Sequence, residues 1–94
     1  MEFEWDESKA IANDRKHRVS FFEAVESFED PHGIALRDEK HSHHETRRYW
    51  IGRCRSGRVL TTWFTERKGV IRIIGSAELR KFRRIYECTQ NQKS

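Results

Sequence analysis

The residues best suited to chemistry lie in the stretch Gly57 to Glu87, GRVLTTWFTERKGVIRIIGSAELRKFRRIYE. Arg67 and Arg72 flank the turn signal Lys68-Gly69, Arg80 opens a helical pattern, and Glu66 is the nearest carboxylate. A guanidinium stays charged and forks onto two phosphate oxygens. It therefore suits charge that develops on a phosphorane, where one well-placed donor supplies roughly 3–4 kcal/mol. RNA carries its own nucleophile, the 2′-hydroxyl. Cutting it needs a base for that hydroxyl, a charge stabiliser, and an acid for the leaving 5′-oxygen. No metal or other cofactor enters this reading. Glu66 is the candidate base, or else an ion-pair partner that holds Arg67 or Arg72. His17 and Lys16 are the next candidates for proton transfer, provided the first helix packs over the sheet; otherwise they match the charge of a helix end. Trp63 or Trp50 offers a face on which a base can stack, with core packing expected for at least one of them. Lys81, Arg83 and Arg84 are expected to bind backbone phosphates without reading sequence.

Positioning these groups takes two strands and a helix. Val59, Leu60, Trp63 and Phe64 form one β-branched and aromatic run, and Val70, Ile71, Ile73 and Ile74 form another. From Ser76 onward Leu79, Phe82, Ile85 and Tyr86 recur at helical spacing. The pattern predicts a meander of strands 47–54, 58–66 and 70–76, then a helix 77–88 and a frayed polar tail. Arg67 and Arg72 are placed nearly opposite one another on one face, with Arg80 brought to the same edge. Upstream, Asp6 is a plausible N-cap for a helix over 7–17. Ser20 and Glu23 make a capping box, with Val19 stapling onto Ala24. Phe21, Ala24, Val25 and Phe28 then give one core face. Residues 34–38 read as a short strand. Phe3 and Trp5 alternate with acids, as a short strand or an apolar anchor. His41, His43 and His44 lack the spacing and the completing ligands of a metal set, so 38–46 reads as a solvated loop. The expected class is α+β, one domain over 1–94.

At 94 residues, with 36% of them charged and 35% hydrophobic, the chain has room for one small core, aided by a partner. The net charge of +4 conceals an asymmetry. Residues 1–46 hold six Lys/Arg against twelve Asp/Glu, and residues 47–94 hold thirteen against three. A basic half of this kind points to a polyanion such as nucleic acid. Cys54 and Cys88 fit plain thiols of a reducing compartment. No apolar run is long enough to cross a bilayer, and Met1 is followed at once by acids rather than a signal peptide; a cytoplasmic location is expected.

Two sets of residues carry a resemblance. The first comprises Phe3, Trp5, Asp6, Lys9, Asn13, Lys16, His17, Val19, Ser20, Phe21, Glu23, Ala24, Phe28, Asp30 and Pro31. The second comprises Asp38, His41, Ser42, Glu45 and Arg47, Ile51-Gly52, Thr65-Glu66-Arg67, Arg72-Ile73-Ile74 and Arg84-Ile85-Tyr86-Glu87. Together they resemble the BrnT family of bacterial type II toxins, over nearly the whole chain. The resemblance implies a RelE-like ribonuclease, with two helices before an antiparallel sheet and a basic helical tail. It also implies a BrnA-type ribbon-helix-helix antitoxin that neutralises the toxin in a hetero-oligomer and alone contacts operator DNA. The antitoxin is expected to bury part of the arginine-rich face and the region of helix 20–29. Many members follow the Arg-Ile-Ile strand with Ser-Ala-Arg. Here Glu78 stands at that last place, and Arg80 is expected to substitute from the next turn. A non-catalytic module for RNA or antitoxin, or a degenerate toxin kept as a co-repressor, is the alternative.

Overall fold

The computed structural model describes residues 1–41 and 45–93, the side chains of 92 and 93 aside. In chain order its elements are β1 (Glu2–Trp5), α1 (Glu7–His17), α2 (Phe21–Ser27), β2 (Ile34–Arg37), β3 (Arg47–Arg53), β4 (Val59–Arg67), β5 (Val70–Ala77) and α3 (Arg80–Lys93). Asp6 caps α1 by accepting from the Ser8 and Lys9 N–H groups at 2.9 and 3.3 Å. Arg18, at φ 57°, ends α1 in the left-handed region. The Ser20–Glu23 capping box is formed in both directions.

One sheet of order β1-β5-β4-β3-β2 runs through the molecule. The expected three-strand meander is its centre, and β2 adds an antiparallel edge. The other edge departs from an all-antiparallel sheet, because β1 pairs parallel to β5. The Phe3/Trp5 alternation thus resolves to a strand that half-buries both aromatics and exposes Glu2 and Glu4. Lys68 and Gly69 turn β4 into β5 with φ of 53° and 80°. A two-residue turn with both φ positive matches the natural twist of paired strands.

The two faces of the sheet have different covers. Phe64, Ile71 and Ile73 meet Phe21 and Ala24 of α2, with Phe3, Trp5, Ala10, Val25, Phe28 and Trp50 packed around them. Val19 does not staple onto Ala24; it packs with Cys54 and Leu60 in a separate cluster. The opposite face carries Ile51 and Val59, covered by Tyr86 and Phe82 of α3 together with Ile34 and Leu36. α3 starts three residues later than the periodicity suggests, because Ser76 and Ala77 stay in β5, paired with Thr62 and Thr61. It then runs on to Lys93 rather than fraying after Cys88. Among the described residues no helix is long and apolar enough to cross a membrane.

Candidate nucleic-acid interface

α3 covers only the β2–β3–β4 part of its face, and the rest of that face carries charge. The register lines five residues up across all the strands. Asp38, just past β2, donates its N–H to the Arg47 carbonyl at 2.8 Å. Arg47 is opposite Thr65, Thr65 is opposite Arg72, and Arg72 is opposite Glu4. Side chains alternate along a strand, so directly paired residues share a face. The row is therefore acid, arginine, threonine, arginine, acid. With strands about 4.8 Å apart, Arg47 and Arg72 start about 10 Å from each other. That gap admits one phosphate group between two guanidinium arms.

Arg67 joins them from the next pleat. It is opposite Val70 rather than Arg72, so the two arginines form a diagonal pair on one face. Thr65, Arg67, Val70 and Arg72, with Glu4 and Glu45, line a hollow of about 250 Å³. In the resting molecule each cation has an acid beside it. Arg72 Nη1 lies 2.6 Å from Glu4 Oε2, and Arg67 pairs with Glu45. Exposed pairs of this kind are worth at most about 1 kcal/mol. They hold the arms only loosely.

The remaining expected site residues disperse. Glu66 faces the other way, on the face of its strand neighbour Phe64, because it is one residue out of phase with Arg67. It lines an adjacent hollow of about 540 Å³ with Glu45, Arg48, Arg67 and Lys68 among others. Its ion pair is with Arg48 at 3.9 Å, not with Arg67 or Arg72. Arg80 does not reach these arginines. It follows the far end of β5, whereas Arg72 lies near that strand's start, and it lines neither hollow. Glu78 serves the scaffold: Arg58 bonds it at 2.8 Å, bonds Glu23 at 3.1 Å and donates to the Arg18 carbonyl at 2.9 Å.

His17 and Lys16 belong to a third hollow, of about 240 Å³, with Lys9, Trp63 and Ile74. Trp63 is two residues from Thr65 on the same face of β4, so this hollow adjoins the arginine row. Its ring lies across Gly75, where a Cβ would come within 2.2 Å of it, and it meets His17 edge-on at 6.1 Å between centroids. Any larger residue at 75 would displace the platform. Trp50 has the core fate: it stacks on Phe28 at 5.2 Å, and its Nε1 donates to the Ser27 carbonyl at 2.7 Å. Lys81, Arg83 and Arg84 are exposed on α3, whose Phe82 packs at 5.0 Å on Tyr49, the next same-face residue after Arg47.

Sequence reasoning did not assign Asp38, His41 and Arg47 to the site, although the resemblance had picked out all three. Asp38 is 4% exposed. Its Oδ2 lies 2.8 Å from His41 Nδ1 and 3.6 Å from Arg47 Nε. Burial works to raise its pKa, but hydrogen bonds from His41 and Tyr49 outweigh it and hold the carboxyl below the ordinary 3.8. Tyr49 is pushed up, first by burial and then by its bond to that anion. His41 keeps a side chain 54% exposed. Of the histidine loop, His43 and His44, like Ser42, lie outside the described residues.

The lowered Asp38 carboxyl has a consequence for stability. A group that ionises more easily folded than unfolded stabilises the fold above its unfolded pKa, and loses that effect as pH falls through the folded one. Asp38→Asn is therefore expected to lower the melting temperature at pH 7. The gap to the wild type should close below pH 4, and thermal melts between pH 7 and pH 2 check it. A gap independent of pH would place the effect outside ionisation.

A 1.1 Å crystal structure of the Brucella abortus ribonuclease toxin BrnT superposes with a TM-score of 0.67 at 21% identity, covering 84% of this chain and 96% of that one. At that identity the likeness speaks for the fold. No curated protein matches the chain. Residues 5–82 match the family model described as the ribonuclease toxin, BrnT, of type II toxin-antitoxin system. The chain belongs to the BrnT family of ribonuclease toxins of type II toxin–antitoxin systems.

Proposed function

We propose that the chain is a RelE-like, metal-independent endoribonuclease that inhibits growth by cutting RNA, with its centre on the row Asp38–Arg47–Thr65–Arg72–Glu4. The observation that carries this reading is the convergence of Arg47, Arg67 and Arg72 around Thr65 on the open part of one sheet face. The scissile phosphate replaces Glu4 and Glu45 as the partner of Arg72 and Arg67. Arginine forks then meet the charge that grows on its oxygens as the 2′-hydroxyl attacks. Asp38 holds His41 by Nδ1 and so sets its tautomer, leaving Nε2 to take the proton of the 2′-hydroxyl. This gives His41 the base role expected of Glu66, which faces away. Trp63 stacks a neighbouring base, with Lys16 and His17 beside it, while Lys81, Arg83 and Arg84 hold the backbone further along.

Attack by the 2′-hydroxyl leaves a 2′,3′-cyclic phosphate and a free 5′-hydroxyl. Purified protein incubated with RNA in excess EDTA is expected to yield fragments with those ends. Fragments with 5′-phosphates, or cleavage abolished by EDTA and restored by a divalent ion, would overturn the mechanism. Intact RNA that is nonetheless bound in a salt-sensitive way would favour the non-catalytic module. The partner of this reading is a BrnA-type ribbon-helix-helix antitoxin, through which alone the pair contacts operator DNA.

A further inference from the structure

α1 and the start of α2 leave an apolar groove on the outside of the helical layer. Its volume is about 210 Å³, and it is lined by Trp5, Ala10, Ile11 and Phe22 with the carboxylates Glu7 and Asp14. Phe22 is 72% exposed and Ile11 50%. Phe22 meets Trp5 edge-on at 5.3 Å between centroids, and Trp5 in turn meets Phe21 of the core at 5.8 Å. The patch is thus braced by the core yet open to solvent. Nothing local calls for a phenylalanine at 22. The capping box uses Ser20 and Glu23, and the buried positions of α2 are Phe21, Ala24 and Ser27. A contiguous exposed apolar cluster with a polar rim marks an interaction surface.

We propose that this groove is an anchoring site for the antitoxin, filled by a segment that offers one or two apolar side chains flanked by lysine or arginine. The proposal rests on membership of a toxin–antitoxin family and not on the ribonuclease chemistry above. Two charge arguments select the occupant. Among the described residues no lysine or arginine lines the groove, so Glu7 and Asp14 favour a basic partner and repel a phosphate backbone. A second copy of the chain is disfavoured for the same reason, since a two-fold contact would set these carboxylates against their own images. The groove is also on the opposite side of the sheet from the arginine row. An antitoxin held there keeps its grip while a separate, acidic or apolar part of it covers the cations.

The test uses the cognate antitoxin, encoded by the adjoining reading frame and produced separately, titrated against the full-length toxin. Phe22→Ser and Ile11→Ser should each weaken binding by about tenfold or more, as loss of a central apolar anchor does. RNA cleavage should stay at the wild-type rate, and the melting temperature should fall only modestly, because Phe22 gives up one edge-on contact with Trp5 and Ile11 is already half exposed. The double change Glu7→Lys and Asp14→Lys should weaken binding further at low salt than at high salt. Unchanged affinity in both apolar variants overturns the proposal. So does a toxin that self-associates through Phe22 and binds antitoxin equally well without it. Affinity is read without reference to cleavage, so failure of the anchor and failure of the nuclease reading remain distinct.

Discussion

Arg67→Ala and Arg72→Ala are each expected to cut the rate of RNA cleavage by 10²–10³-fold, about 3–4 kcal/mol of transition-state stabilisation. Both guanidiniums sit on the uncovered part of the sheet, with side chains 71% and 47% exposed. Their acid partners contribute little to folding. The variants should therefore melt within about 1 kcal/mol of the wild type, and lost activity will not reflect lost structure. Lysine at either position keeps the charge but loses the fork, so Arg67→Lys and Arg72→Lys should fall between wild type and alanine. The double alanine variant should be less impaired than the product of the singles, because the arms act on one phosphate. Single-turnover cleavage of a short RNA at saturating protein measures all five. If the double alanine variant cuts at the wild-type rate, the arginine row is not the centre.

Asn13→Ala is expected to destabilise the fold by about 3 kcal/mol. Asn13 is 7% exposed and is the sole buried residue of α1. Its Nδ2 donates to the carbonyls of Val19 at 3.1 Å and Ser76 at 2.8 Å, and its Oδ1 accepts from the Ser76 N–H at 3.1 Å. One side chain thus satisfies three backbone groups and binds α1 to the part of β5 that β1 does not reach. Alanine leaves all three without this partner in a buried place, where each costs on the order of 1–3 kcal/mol. For a chain of this length that corresponds to a fall in Tm of roughly 12–24 °C. Asn13→Asp keeps the acceptor and loses the donor, and should also be strongly destabilising. A thermal melt showing less than about 5 °C of loss for alanine would mean that these groups find other partners.

The two expectations draw on different halves of the molecule. The acidic N-terminal half supplies the helical layer, its buried tie and the apolar groove. The basic half supplies the arginines of the open face, and the acidic half supplies the carboxylates Glu4, Asp38 and Glu45 beside them. The charge asymmetry of the chain becomes, in the fold, an arginine-bearing face over β3–β5 and an acidic, partly apolar surface over α1 and α2, which are the surfaces proposed above for RNA and antitoxin.

Much of this was legible in the residues alone. Periodicities near 3.6 and 2, the Ser20–Glu23 box, the Asp6 cap and the Lys68-Gly69 turn are local, and they located all three helices and the central strands. The likeness of residues 3–31 and the Thr65-Glu66-Arg67 and Arg72-Ile73-Ile74 pieces indicated the family. What the chain did not disclose was register. Whether Arg72 faces Arg67 or Thr65 depends on how many residues the turn takes, here two; whether Arg47 enters the row depends on its pairing with Thr65 across the sheet. Glu66 leaves the candidate site through strand alternation alone, being adjacent to Arg67, whereas Arg47 joins it through the cross-strand register, where a shift of one residue would reverse its face. Arg80 was lost to the site for a related reason: a strand separates it from Arg72, and a strand's length carries its two ends apart. Local patterns determined what the elements are and which charges they bear. Only long-range pairing decided which of those charges meet.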